Sequence, residues 1–289
     1  RLDLYMGPFF EADLEAGRVT PEMAQEIVDE LFRKIDMIGL GDSLMNLMLG
    51  GVDIDGNDMT NDTTIMMINA SITQRITSPL VNIRVHKGTP DRLREKITEL
   101  QLLGEGKGTI FNDEVVVPMM VNAGIPLELA RNYACDGCNE ILIDGQSVIE
   151  FGAQECAKSV ELMLFNGKAN PEADRKKLMA AYHYVGENVE VDAHTQEGFK
   201  SGDFTKMDTF DDVFEAFMNQ YLHHVGEGLD WLDRNASENN VSGITSPFLA
   251  GSFAPCIETG LDPLRGGCEY RMFMIFSGSI STAADALAG

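Results

Sequence analysis

The stretch "GTIFNDEVVVPMMVNAGIPLELARNYACDGCNE", residues 108–140, combines strand and helix signals with the most unusual motif of the chain. GTIFND (108–113) predicts a β-strand, and PLELARNYA (126–134) predicts a helix that ends at the motif Cys135-Asp-Gly-Cys138. LVNIRVHKG (80–88) and EYRMFMIFSG (269–278) predict further strands, with helical patterns between them. Strands and helices that interleave in this way favour a mixed α/β fold.

Alternation in LVNIRVHKG predicts two different faces for this strand. One face carries Val81, Ile83 and Val85, and the other carries Asn82, Arg84 and His86. Side chains two positions apart in a strand point the same way, so the first face should pack in a core. The second face is polar, and its role depends on what covers it.

Helix starts are marked by capping residues and by prolines suited to the first helical position. The capping pairs are Thr20-Pro21, Thr89-Pro90 and Asn170-Pro171. Apolar residues at helical spacing follow two of the predicted starts. They are Met23, Ile27, Leu31 and Ile35 after Pro21, and Val213, Phe217, Tyr221, Val225 and Leu232 after Thr209. Ser147 and Glu150 form a capping-box pattern. It predicts a third helix with the apolar stripe Ile149, Ala153, Cys156, Val160 and Met163.

The charge balance narrows the classes of function. Among 289 residues, 22 are Lys or Arg and 46 are Asp or Glu, which leaves a formal net charge of -24. This negative charge disfavours binding to nucleic acid and to anionic membrane surfaces, which attract clustered basic side chains. No apolar run approaches the roughly 18 residues of a membrane-spanning helix. Five irregularly spaced cysteines indicate a reducing compartment. We expect a cytoplasmic protein that handles small molecules, and one continuous region over residues 1–289.

Two patterns resemble metal sites but favour ordinary structural roles. DIDGNDMTNDTT (53–64) resembles a calcium loop, but Asp58 occupies the position that requires glycine. Thr64 occupies the position that requires glutamate, so a polar turn is the better interpretation. His223 and His224 are adjacent and would point about 100° apart on a helix, which predicts a solvated helix end.

The sequence predicts no functional site for the cysteines outside the motif. Cys156 lies on a predicted apolar stripe and should pack in a core. Cys256 and Cys268 have no obvious partners in the sequence.

The Cys135–Cys138 motif fits neither common interpretation of a Cys-x-x-Cys pair. Structural zinc requires four ligands, and the sequence has no second cysteine pair or spaced histidine pair. A redox motif of the thioredoxin type follows a strand and begins a helix, whereas here a predicted helix precedes the motif. The remaining interpretation is a sharp turn at Gly137, with Cys138 and Glu140 on one side of an extended segment.

The same stretch resembles the cysteine-loop region of glycyl radical enzymes, the pyruvate formate-lyase-like superfamily. The likeness is to its branch of glycerol and diol dehydratases and choline trimethylamine-lyase. It rests on Asn112-Asp113-Glu114, a following helix and Gly137-Cys138-Asn139-Glu140. Flanking segments extend the likeness over nearly the whole chain. They are LGGVDIDGNDMTND (49–62), NIRVHKGTP (82–90), TSPFLAGSFAPCIETGLDPLRGGCEY (245–270) and FSGSISTAADALAG (276–289).

The resemblance implies a fold and a mechanism. The fold would be a ten-stranded α/β barrel of two five-stranded halves, ringed by helices. A radical S-adenosylmethionine activating enzyme would install a glycyl radical, with no other cofactor bound, and the enzyme would be a homodimer. The radical would pass to Cys138, whose thiyl removes a hydrogen atom from a small-molecule substrate. Glu140 would take the proton from an adjacent hydroxyl group.

Departures from the family pattern bear on the substrate and on completeness. Ile141 stands where many relatives have proline, and Asn139 stands where a small apolar residue is common. The resemblance places both beside the substrate. An Arg-Val-x-Gly-Tyr-like glycine loop does not occur among the 289 residues. We therefore expect the radical glycine to lie outside this sequence, and this piece to be inactive alone.

Three further residues are candidates for substrate binding. Glu150 lies where some dehydratases of the family have an acidic residue near the leaving group, but the capping box from Ser147 is favoured. Arg84 and His86 could face the interior of a barrel or form an outward polar face.

Three functions follow from these patterns. The first is a radical dehydratase or a C–N or C–S lyase acting on a small hydroxylated molecule, because Glu140 supplies a base. The second is a radical decarboxylase of arylacetates, which resembles the first in its Cys-x-Glu. The third is a non-catalytic metal-binding module that uses Cys135 and Cys138.

Overall fold

The computed structural model describes residues 1–39, 45–136, 140–168, 170, 197–237 and 246–289. Its helices are α1 (Leu2–Glu15), α2 (Pro21–Gly39), α3 (Asp62–Gln74), α4 (Asp91–Leu102), α5 (Asp113–Asn122), α6 (Leu127–Arg131), α7 (Cys156–Leu164), α8 (Phe210–Ser237), α9 (Pro247–Ala250), α10 (Ala254–Thr259) and α11 (Ile280–Ala288). Its strands are β1 (Asn46–Gly50), β2 (Leu80–Val85), β3 (Thr109–Asn112), β4 (Tyr133–Asp136), β5 (Glu140–Ile143), β6 (Ser147–Glu155) and β7 (Tyr270–Gly278). Short 3-10 turns cover Phe204–Lys206 and Pro263–Arg265.

The chain divides into two compact units. The first contains Arg1–Ile149 and Pro247–Met272, and the second contains Glu150–Ser246 and Phe273–Gly289. Within the described ranges the strands form open sheets of three, two and two strands. The mixed α/β class is thus confirmed, and the ten-stranded barrel stays a prediction.

A parallel sheet in the order β1-β2-β3 organises the first unit. Val81 and Ile83 on β2 are buried, and Val85 packs against the same core, as the alternation predicts. Helices α1 to α4 supply the rest of this core, with Phe10, Phe32, Met67 and Leu93 among its buried residues. Burial of apolar side chains on one face fixes the register of β2, because a slip of one residue would turn them away from the core.

An antiparallel hairpin of β4 and β5 follows the sheet in the chain. Tyr133 pairs with Ile143, Cys135 with Ile141, and Asp136 with Glu140. Residues opposite each other in such a pair lie on the same face. One face of the hairpin therefore carries Tyr133 and Cys135, and the other carries Glu140.

Helices α7, α8 and α11 build the core of the second unit. Cys156 and Val160 of α7 pack with Phe217 of α8 and Ala283 of α11. The predicted helix after Thr209 is confirmed as α8, and Cys156 packs in a core as expected. Strand β6 pairs with β7, which confirms the strand predicted in residues 269–278.

The capping box predicted at Ser147 is wrong. The hydroxyl of Ser147 accepts a hydrogen bond from the Ile143 backbone nitrogen (2.8 Å) and donates one to the Ile143 carbonyl (3.1 Å), which closes the turn between β5 and β6. Residues 147–155 are a strand, in keeping with the β-branched Val148 and Ile149, and α7 begins only at Cys156.

Other boundaries also differ from the predictions. Thr89 does not cap α4, because its hydroxyl accepts from the His86 backbone nitrogen (2.8 Å), and the helix begins at Asp91. The helix predicted over residues 126–134 ends at Arg131, because the chain then pairs with β5 as β4. Pro171 lies outside the described residues.

The apolar stripe predicted for α2 is confirmed at Ile35 but lies one position away over the earlier turns of the helix. The buried row is Ala24, Val28, Phe32 and Ile35, whereas Met23 and Ile27 are exposed. Helix α2 packs on α3, and both helices place an alanine in the shared core, Ala24 and Ala70. Small side chains allow the helices to approach closely, which the spacing of larger residues did not reveal. None of the described helices is long and apolar enough to cross a membrane.

Candidate active site

The polar face of β2 is buried beneath the hairpin rather than exposed. Arg84 is 0% exposed and Asn82 is 1% exposed. Arg84 contacts Tyr133, and Asn82 contacts Cys135, so β4 covers this face of the sheet. An outward polar face therefore does not describe Arg84.

The guanidinium of Arg84 donates four hydrogen bonds to protein partners. Its Nε and Nη2 donate to the two carboxylate oxygens of Asp113 at 2.9 and 2.8 Å. Its Nη1 donates to the carbonyl of Tyr133 (3.0 Å), and Nη2 also donates to the carbonyl of Arg131 (2.8 Å). A buried ion pair persists only when further hydrogen bonds complete it, as they do here. The result ties β2 and the start of α5 to the start of β4.

Tyr133 completes this buried cluster. Its hydroxyl donates to Asp113 Oδ1 at 2.7 Å, and its ring lies 3.9 Å from the Arg84 Cζ atom. Burial raises the pKa of the Tyr133 hydroxyl above its ordinary value, so this donor keeps its proton. Gly51 makes room for the arginine, because a Cβ atom there would lie 2.7 Å from Arg84 Cζ.

Asn82 holds the other residue of β4 that faces the sheet. Its Nδ2 donates to Cys135 Sγ at 2.9 Å. Burial, together with the nearby carboxylates of Asp136 and Glu140 and against the opposing effect of the Asn82 hydrogen bond, raises the pKa of the Cys135 thiol to about 11. Cys135 is therefore a neutral thiol at physiological pH, which makes it a poor nucleophile and a poor metal ligand.

Glu140 begins β5 and is buried, with 6% of its surface exposed. It pairs with Asp136, the residue that follows Cys135 in β4. Ile141 is also buried and pairs with Cys135. Gly137, Cys138 and Asn139 lie outside the described residues, so the predictions for Cys138 and Asn139 stay predictions.

His86 lies in a different environment from Arg84. It follows the last residue of β2, and its Nε2 is 3.0 Å from Asp58 Oδ1. It lines a polar cavity of about 530 Å³, together with Lys87, Glu114 and Arg131. Glu150 belongs to β6, and its side chain lies outside the described residues. Substrate binding by these residues stays a prediction.

The remaining sequence patterns take structural roles in the described chain. Asp53 accepts from the backbone nitrogens of Asp55 (2.9 Å) and Asn57 (2.8 Å), which forms a polar turn. His223 and His224 both lie beside Glu227 within α8, which continues to Ser237, so the helix end predicted at this pair is wrong. Among the residues that the structure describes, no group of three or more His, Cys, Asp or Glu side chains is arranged to hold a metal ion.

Two members of the buried cluster were not singled out as site residues from sequence. Asp113 was noted only as part of Asn112-Asp113-Glu114, and Tyr133 was placed in a helix. An available signal was the charge of Arg84 within a strand otherwise suited to burial, because a buried arginine requires a carboxylate partner.

Comparison with known proteins places this architecture in a family. The pyruvate formate lyase-like family matches residues 1–289, which is the whole chain. The chain belongs to this family. It is 27% identical over its full length to (2S)-3-sulfopropanediol dehydratase of Klebsiella oxytoca and covers 34% of that protein. It is 27% identical over 77% of its length to isethionate sulfite-lyase of Oleidesulfovibrio alaskensis and covers 26% of it.

A solved relative supports the same assignment. The crystal structure of hydroxyproline dehydratase from Clostridioides difficile, with trans-4-hydroxy-L-proline bound, aligns with 99% of this chain at a TM-score of 0.74 and 26% identity. The chain covers 35% of that protein, so it spans about a third of the length of these relatives. Membership of the pyruvate formate lyase-like family confirms the resemblance carried by the cysteine-loop stretch.

Proposed function

We propose that this chain is the cysteine-loop region of a glycyl radical eliminase, a dehydratase or a C–N or C–S lyase of small hydroxylated molecules. The observation that carries the proposal is the buried carboxylate of Glu140, at the start of a strand whose partner strand is anchored to the sheet. Dehydratases and a sulfite-lyase among the relatives support this reaction class.

Cys138 and Glu140 divide the chemistry between an atom transfer and a proton transfer. The Cys138 thiol would give its hydrogen atom to the glycyl radical, which leaves a thiyl radical on the sulfur and a new C–H bond on the glycine. The thiyl takes a hydrogen atom from the substrate carbon that bears a hydroxyl group, which forms an S–H bond and leaves a carbon radical. Glu140 takes the hydroxyl proton, and the resulting ketyl expels the leaving group from the neighbouring carbon with its bonding electrons.

Burial of Glu140 suits this role. A general base must lie within about 3 Å of the proton that it removes. A site that excludes water also protects the radical intermediate from side reactions. The cluster of Arg84, Asp113 and Tyr133 holds β4 and, through strand pairing, the position of Glu140. We assign Arg84 a positioning role because four of its five N–H donors are already engaged by the protein.

The proposal includes the rest of the catalytic assembly. A full-length protein would close a ten-stranded barrel around the cysteine loop and would form a homodimer in the cytoplasm. A radical S-adenosylmethionine enzyme would install the radical on a glycine outside residues 1–289. Asn139, Ile141, Glu150 and His86 remain candidates for contacts with the substrate.

The test is Glu140→Gln in the full-length, activated protein. The amide keeps the shape and removes the basicity, and we expect turnover to fall about 10²–10⁴-fold while the glycyl radical still forms. Glu128→Gln is the matched control, because Glu128 is exposed on α6 and should leave turnover unchanged. Near-full turnover of the Glu140 variant would exclude it as the base. Release of carbon dioxide, with no elimination product, would favour a decarboxylase instead.

A further inference from the structure

Cys256 and Cys268 form a contact that the sequence did not reveal. Their Sγ atoms are 4.0 Å apart, although 12 positions separate them in the chain. Cys256 lies on α10 and is buried, and Cys268 follows the 3-10 turn at Pro263–Arg265 and is half-buried. Both belong to the first unit of the chain.

The intervening segment is built to bring the two sulfur atoms together. Gly260 ends α10 in the left-handed region (φ 68°), and Gly266 ends the 3-10 turn in the same region (φ 85°). The Gly267 backbone nitrogen donates to the Asp262 carbonyl at 3.0 Å, which closes the loop. A Cβ atom at Gly267 would lie 2.8 Å from Cys256 Sγ, so only glycine fits beside this sulfur without displacement.

We propose that Cys256 and Cys268 are a covalent modification site. They form a reversible disulfide with each other when they react with a low-molecular-weight disulfide. A disulfide bond is about 2.05 Å long, so the sulfur atoms must approach by about 2 Å. In the first step the Cys268 thiolate attacks the small disulfide RSSR and releases RS⁻. In the second step the Cys256 thiolate attacks the Cys268 sulfur and releases the second RS⁻. Two protein thiols and RSSR thus become one protein disulfide and two RSH.

The order of attack follows from exposure. Cys268 is the more accessible of the two and meets the reagent first, whereas Cys256 is 3% exposed and acts from within the protein. A thiol held beside the mixed disulfide attacks it as an intramolecular partner, which gives a large advantage over a second molecule of free thiol. Burial, together with the neighbouring Cys256, raises the pKa of Cys268 to about 12. Little Cys268 thiolate is present at neutral pH, so the reaction should be slow there and become faster as the pH rises.

The experiment treats the anaerobically purified, reduced protein with oxidised glutathione and maps its peptides by mass spectrometry. We expect a linked peptide pair containing Cys256 and Cys268, the loss of two hydrogen atoms, and reversal by dithiothreitol. The rate should rise about tenfold per pH unit between pH 7 and 9, since the thiolate is the nucleophile. Cys156, which is buried in the other unit, should stay reduced.

Single variants separate the two roles without depending on any catalytic activity. Cys256→Ala should leave a stable glutathione adduct on Cys268, and Cys268→Ala should leave Cys256 unmodified. Persistent glutathione on Cys268 in the unsubstituted protein, or a disulfide that joins either cysteine to another partner, would overturn the proposal. A rate independent of pH would contradict the assignment of Cys268 as the attacking thiol.

Discussion

The two faces of β2 differ in what their side chains contact. Val81 and Ile83 enter a core supplied by several helices, in which each side chain is one of many apolar neighbours. Asn82 and Arg84 are equally buried, but their polar atoms form hydrogen bonds with residues of α5 and β4 in the first unit. The apolar face stabilises the sheet, whereas the polar face joins the sheet to the hairpin that carries Glu140.

This difference teaches how one strand of a sheet can position the hairpin that carries the proposed base. Burial of apolar area is non-directional, so many side-chain combinations satisfy it. Bidentate pairing and hydrogen bonds to backbone carbonyls are directional, so they fix where β4 begins. Substitutions on the two faces should therefore affect stability and turnover in different proportions.

The largest effect on stability should follow from Arg84→Met. The variant leaves the Asp113 carboxylate buried without its ionic partner, and we expect the free energy of unfolding to fall by about 3–5 kcal/mol. Equilibrium denaturation measures the loss. Arg92→Met is the matched control, because Arg92 pairs with Asp62 at the surface, where an ion pair contributes less than about 1 kcal/mol.

A second substitution tests the cause of that loss. In the double variant Arg84→Met with Asp113→Leu, the uncompensated charge is absent, and part of the lost stability should return. No recovery would show that the carbonyls of Arg131 and Tyr133, rather than the Asp113 charge, account for the loss.

A smaller and more discriminating effect should come from Tyr133→Phe and Ile83→Val. We expect each to lower the free energy of unfolding by about 0.5–1.5 kcal/mol. Tyr133→Phe removes a hydrogen bond, and Ile83→Val removes a methylene group. Only Tyr133→Phe should also lower turnover of the full-length enzyme, because misplacement of catalytic groups can cost up to about 10²-fold. Equal effects of the two variants on turnover would remove the distinction between the faces.

Sequence predicted the apolar face of β2 better than the polar face. Alternation identifies Val81, Ile83 and Val85 because the period of a strand is visible in one segment. The partner of Arg84 is Asp113, which lies 29 positions away, and no local pattern joins them. Tyr133 was assigned to a helix because the helical signal of residues 126–131 continued into a segment whose conformation depends on pairing with β5.

The same limit explains the other differences. The sequence around Ser147 is typical of a helix cap, but its hydroxyl forms hydrogen bonds with the Ile143 backbone instead. Cys256 contacts Cys268 because three glycines in the connecting loop allow the chain to turn back. The Gly-Cys-x-Glu motif was recognised because its residues are adjacent in sequence. Contacts that depend on the path of the chain between the two residues require the fold.

A stability effect of similar size at neutral pH, which shrinks above pH 9, should follow from Cys135→Ala. The Cys135 thiol has an ordinary pKa of 9.0 and a folded pKa of about 11. Folding favours the protonated thiol, so this contribution to stability is complete below pH 9 and is lost as the pH rises through 11. Loss of its hydrogen bond should cost about 1 kcal/mol at pH 7. Between pH 9 and 11 the unsubstituted protein should lose more stability than the variant, as denaturation at each pH would show.

The most direct test of the account compares Cys138→Ala with Cys135→Ala in the full-length protein, activated anaerobically. Electron paramagnetic resonance measures the glycyl radical, and product analysis measures turnover in the same samples. We predict that both variants form the radical, that Cys138→Ala has no detectable turnover, and that Cys135→Ala keeps substantial turnover. Turnover by Cys138→Ala together with its loss in Cys135→Ala would show that the chemistry belongs to the thiol held by Asn82, and would contradict the account.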